Sequence, residues 1–273
     1  MTTSPPIYTT PRLATEPGTA LLLYIRVGLE SLWLLAIFMV PLIFLDKEYA
    51  VSEAKIANIE IPKVALLRTL GGLLLVLWSL EWAITSSAFH SGLSTNTFQT
   101  LAGKIHPSRM AVSTVGWLKV HPTRWLLLAA ALFFGSTFLS TVLSGSINNS
   151  LWGEIPGQGG YSAYTVGSYG VLFGVIATHV KSRTQLWRFL GAAIAMGFLV
   201  GLYASFQHFG HDFLGATEVT GGGTTRVTAF MGNAIFAGAV LAMTVPLTLV
   251  VATLSVQNAN SGNRGPLLKL RPV

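Results

Sequence analysis

Six apolar stretches, each near the length of about 20 residues that an α-helix needs to cross a bilayer, constrain this chain more than any other feature. They run over residues 24–45, 64–84, 125–143, 161–180, 189–209 and 227–254. In lipid the backbone must satisfy its own polar groups, so runs of this length read as helices and not as open strands. Composition agrees. Charged residues make up 10% of the 273 and hydrophobic residues 51%, where soluble domains carry about 25% charge. Mean hydropathy is +0.59. The predicted fold is all-α, a polytopic membrane protein with about six transmembrane helices. A polar N-terminus (1–23) precedes the transmembrane domain (24–254), and a polar tail (255–273) follows it. Pro41 and Pro246 fall inside spans, where a kink is tolerable.

The loops predict orientation. Residues 85–124 carry Lys104, Arg109, Lys119 and Arg124 and no acid. Lys181, Arg183 and Arg188 follow the fourth span, and Arg264, Lys269 and Arg271 lie in the tail. All three segments belong inside by the positive-inside rule. Residues 144–160 hold Glu154, and residues 210–225 hold Asp212 and Glu218, with no basic residue in either, so both belong outside. Alternation then places both termini in the cytoplasm. The polar, Thr/Pro-rich start reads as no cleaved signal peptide, with the first span as the membrane signal. The net charge of +7 lies largely in these loops and points to acidic or phosphate-bearing lipids rather than nucleic acid. The absence of cysteine excludes disulfides and thiol chemistry.

Candidate chemistry concentrates outside. Gly221, Gly222 and Gly223 lead to Arg226 at the mouth of the last span. An arginine there either snorkels to headgroups or lines a polar cavity and holds an anion. Trp152, Tyr161, Tyr164 and Tyr169 cluster near the outer end of the fourth span, as an interfacial belt or as a sugar-stacking platform. His208 and His211 are i, i+3, but no third ligand stands at a diagnostic spacing, so no metal and no cofactor are expected. Arg26 and Glu30 are spaced to neutralise each other on one helix face. Glu81 and His90 read as interfacial, and no ionisable residue is read deep inside a span. In the segment 86–119, Met110, Val112, Val115, Trp117 and Leu118 fit either an amphipathic helix on the inner leaflet or a plain loop.

The ordered segments SLWGEIPGQGGY, GLYASFQHFGHD and RVTAFMGNAIFAGAVLAMTVPL resemble the O-antigen ligase and polymerase superfamily, polytopic bacterial membrane glycosyltransferases. The matching positions include Ser140, Ser144, Trp152, Gly153, Tyr203, Gln207, Gly210, Asp212, Arg226, Gly232 and Asn233. The resemblance implies transfer of a glycan from an undecaprenyl-diphosphate carrier on the outer face of the plasma membrane. It implies that Arg226 contacts the diphosphate, and it makes Asn233, Gln207, Tyr203 and Trp152 candidate glycan- or lipid-binding residues. Ala234 and Ile235 stand where the family has Pro and a second Asn. The family's later outer loop, with its histidine base, has no counterpart before Val273, so the resemblance is to the N-terminal half of such an enzyme and catalysis by this chain alone is not expected. The alternative is a nonenzymatic membrane subunit that binds lipid or assembles with a complementary one. The first three and last three spans show no repeat, which argues against a small transporter.

Overall fold

The computed structural model describes residues 17–44, 55–90, 123–153, 160–215, 218–219 and 225–260. In chain order the elements are α1 (Pro17–Leu42), α2 (Lys55–His90), α3 (Thr123–Val142), α4 (Ile147–Trp152), α5 (Ala163–His179) and α6 (Arg183–His208). The two-residue strands β1 (Glu218–Val219) and β2 (Thr225–Arg226) pair antiparallel, a 3₁₀ turn covers Ala229–Met231, and α7 (Ala234–Asn260) follows. The fold is all-α apart from that short ladder. Among the described residues, five helices hold segments long and apolar enough to cross a membrane: Ala20–Leu42, Ile59–Ser86, Arg124–Val142, Arg183–His208 and Ala234–Gln257. The expected span over 161–180 becomes α5, whose 17 residues reach only about 26 Å against about 30 Å of hydrocarbon.

Interhelical contacts fix the direction of each helix. Arg26 near the start of α1 meets Glu81 near the end of α2, while Lys63 donates to the Pro41 carbonyl at the opposite end, so α1 and α2 are antiparallel. Helix α5 runs parallel to α2. Arg68 bonds Thr165, Gly71 meets Ser168, Gly174 meets Trp78, and Glu81 bonds His179. Glu30 and Trp33 of α1 meet Arg188 and Phe189 of α6, which makes those two parallel. Gly197 and Gly201 of α6 meet Thr244 and Leu241 of α7, which makes that pair antiparallel. Phe134 of α3 packs on Gly170, while Thr141 and Tyr161 line one cavity, so α3 opposes α5. The six long helices therefore alternate in direction. We name the end where α1 finishes the upper end and the end where it starts the lower.

Two apolar clusters hold the bundle. Ile25, Leu29, Trp33, Leu74 and Val175 join α1, α2 and α5. Met196, Val200, Tyr203, Ala229 and Ala237 join α6, the 3₁₀ turn and α7. Large apolar side chains such as Leu126, Phe133, Phe138 and Met243 point outward, as they do when the surrounding solvent is hydrocarbon.

Capping sets helix starts that hydropathy does not reveal. Helix α6 begins at Arg183, because Ser182 and Gln185 form a reciprocal capping box there. Helix α7 begins at Ala234. Gly232 is left-handed at φ 70°, and the Asn233 side chain accepts the Ile235 N–H at 2.8 Å. The chain from Val227 to Asn233, expected to be part of the last span, is instead a turn.

Two readings of charge need correction. Arg26 and Glu30 do not pair. Arg26 bonds Glu81 at 2.7 Å, and Glu30 bonds Arg188 at 2.6 Å and Gln185 at 3.3 Å. Glu81 is not a lone interfacial residue: it is 8% exposed and also meets His179 Nε2 at 2.5 Å. Neighbouring helices offer each carboxylate a partner across the bundle, where it would otherwise face hydrocarbon. The segment 86–119 lies mostly outside the described residues, as do the side chain of His90 and the polar tail beyond Asn260.

Candidate functional site

The polar chemistry of the upper end is built by two separate knots. The first gathers the loop between α6 and α7. The Tyr203 hydroxyl donates to Asp212 at 2.5 Å and accepts the Leu214 N–H at 3.1 Å. Gln207 donates to the same Asp212 oxygen at 3.1 Å, and its own oxygen accepts the N–H groups of Thr228 (3.2 Å) and Ala229 (2.7 Å). Ala229 is fully buried with φ at +47°, a left-handed conformation a non-glycine residue rarely adopts. The Gln207 bond offsets that strain. Tyr203 and Gln207 are themselves buried, so they position backbone rather than offer polar atoms to a ligand.

Arg226 lies two residues before Thr228, on β2, and its side chain is exposed. The Gln207 knot and the two-residue ladder, in which Arg226 is in register with Glu218, hold its backbone. Asn233 caps α7 as described, so its side-chain oxygen is engaged with its own helix. Asn233→Ala is expected to remove about 1 kcal/mol of stability. Unfolding in mixed detergent micelles measures this, and stability equal to the parent protein would show that the cap contributes nothing.

The second knot is centred on Arg68, which sequence reasoning passed over. Arg68 lies nine residues into the span Ile59–Ser86, by its numbering, which corrects the reading that no ionisable residue stands deep in a span. Its guanidinium donates to Thr165 Oγ1 (2.9 Å), Ser162 Oγ (2.7 Å) and the Trp152 carbonyl (2.9 Å). It also lies 5.0 Å from the centre of the Tyr164 ring. Trp152 meets the edge of Tyr164 at 5.3 Å. Arg68 thus fastens α2 to the end of α4 and the start of α5. The available signal was an arginine within an apolar run, paired with the Ser-x-x-Thr that opens the fourth span.

Next to this knot is a cavity of about 450 Å³ lined by Ser136, Thr137, Ser140, Thr141, Ser150 and Tyr161. His208 and His211 lie against Phe209 and Phe213, respectively. Among the described residues, no three of His, Cys, Asp and Glu are grouped to hold a metal ion. The fold therefore brings Tyr203, Gln207, Asp212 and Arg226 together on one loop system and places Trp152 with Arg68 and Tyr164 in another, both at the upper end.

No family model matches the chain, and no curated protein or solved structure matches it.

Proposed function

We propose that this membrane protein holds a phosphate-bearing lipid, an undecaprenyl-diphosphate-linked glycan, at its upper end, in the manner of an O-antigen ligase-like protein. The observation that carries this reading is the exposed Arg226 on a loop anchored by the buried Gln207 and Tyr203. A cation presented on a fixed backbone at a membrane boundary favours a diphosphate by charge-assisted, often bidentate contact. In a transfer reaction the same contact stabilises the departing diphosphate. In this reading the upper end faces outward from the plasma membrane, and the basic loops and both termini are cytoplasmic. Trp152, half-exposed beside Tyr164, supplies an aromatic surface for sugar.

A second reading, a subunit that assembles with a complementary membrane protein, is favoured by one observation. Helices α3 and α7 have only 6% and 11% of their apolar windows buried. Their open faces suit other helices as well as lipid.

Arg226→Ala, with the full chain in nanodiscs, is expected to bind undecaprenyl diphosphate about tenfold more weakly, the loss of one charge-assisted contact at a site open to water. Arg226→Lys should fall between the two, since it keeps the charge and loses the fork. Undiminished binding by Arg226→Ala would remove the assigned role.

A further inference from the structure

We infer that the cavity between α3, α4 and the turn before α5 is a binding site for a neutral sugar ring. The inference deepens the function proposed above, and its glycan identity rests on that reading; the cavity chemistry stands by itself. Five of the six described lining residues are serine or threonine, and the sixth is Tyr161. Four of the α3 hydroxyls recur at Ser136, Thr137, Ser140 and Thr141, a spacing that puts them on one side of a helix. Such a stripe at the end of a membrane helix lies where headgroups begin.

The hydrogen bonds define which ligand fits. Ser136 and Thr137 donate to the Phe133 carbonyl, Thr141 donates to the Thr137 carbonyl, and Ser150 donates to Ser144 Oγ. Four hydroxyl protons are therefore engaged within the chain, and the oxygens present lone pairs to the cavity. Among the described residues, the lining has no arginine, lysine or histidine. A phosphate brings only acceptors and needs cations or several donors, so the two lining hydroxyls outside those bonds, Ser140 and Tyr161, serve it poorly. A sugar brings several O–H donors and no charge, which matches an acceptor-rich, uncharged wall. Tyr161, 88% exposed, adds a ring face on which the apolar side of a sugar stacks. The volume of about 450 Å³ lies within the range of about 300–1,000 Å³ seen for small-molecule sites.

The cavity is also held in shape. Ser150 and Tyr161 stand two residues from Trp152 and one from Ser162, the groups that Arg68 fastens to α2. The sugar wall on α4 and just before α5 is thus positioned by a cation that does not itself line the cavity.

The test uses soluble probes that lack the lipid carrier. Methyl hexosides and methyl N-acetylhexosaminides, at about 10 mM to suit weak binding, are mixed with the full chain in nanodiscs. Saturation-transfer NMR then reads contact with the ring protons. Transfer is expected with the parent protein. It should be lost in the double variant Thr137→Val, Ser140→Ala and reduced in Tyr161→Ala. Both α3 changes make a membrane helix more apolar, so insertion is retained. No transfer with the parent, or equal transfer with the double variant, overturns the sugar site. Failure of the carrier reading is separate: it shows as no binding of undecaprenyl diphosphate to the parent protein.

Discussion

Stripping Glu81 of both its side-chain partners, with Arg26→Met and His179→Leu together, is expected to lower unfolding free energy by about 3–5 kcal/mol, the cost of leaving a buried carboxylate without partners. The carboxylate is buried, and the described partners of its oxygens are those two side chains, at 2.7 and 2.5 Å. Removing Glu81 alone has a smaller expected effect. Arg26 is 59% exposed at its side chain and can turn to headgroups, and the His179 ring keeps its Nδ1 contacts to Thr178 and the Val175 carbonyl. The decisive comparison adds Glu81→Leu to the double variant. With no charge left to desolvate, the triple variant is expected to recover most of the lost stability. Unfolding titrations in mixed detergent micelles measure all three. A triple variant no more stable than the double would show that packing, and not the stranded carboxylate, sets the cost. The cluster joins the lower ends of α1, α2 and α5, so its loss should loosen the Trp33 cluster just above it.

Gly197→Leu is expected to cost about 3 kcal/mol or more, at the upper end of the range for overpacking. A Cβ at Gly197 would lie 2.4 Å from Thr244 Oγ1 and 2.6 Å from Thr244 Cβ, so even the first carbon of a side chain forces α6 and α7 apart. Small residues permit this close approach, and in lipid the close approach is itself the source of helix association. The milder Gly197→Ala tests the contact directly. Combined with Thr244→Gly it should show a favourable coupling energy, because the second change removes the atoms the new methyl meets. Strict additivity would mean the two helices do not rely on this contact. The consequence reaches the upper end. Val200, Tyr203 and Ala237 pack one to two turns beyond Gly197, and Tyr203 anchors Asp212. Gly197→Leu should therefore weaken diphosphate binding as well, although it touches no predicted ligand.

Several local features are legible without the fold. The capping box of Ser182 and Gln185 and the cap at Asn233 behind Gly232 are local signals that the span boundaries at 189 and 227 left unused. Hydropathy blurred both starts, since the first turn of α6 is polar and the turn before α7 is apolar. Tyr203, Gln207 and Asp212 entered only through the resemblance, which says nothing of a knot whose bonds turn inward to fix Ala229. Arg68 was hidden by the apolar run around it. Its partners lie about 84–97 residues away, a separation that no local pattern reports.

What the sequence determined by itself is the class of protein and the kind of element. Long apolar runs in a chain with 10% charged residues leave helices as the structure that satisfies the backbone in lipid, whatever packs beside them. What only the tertiary structure decided is which side chain meets which. Arg26 had Glu30 within one turn, a local pair worth about 0.3–0.5 kcal/mol, yet it turned to Glu81 on α2 while Glu30 took Arg188 on α6. A charge inside a bundle settles on the partner that removes the most buried, unpaired polarity, and that partner exists only once the helices have packed.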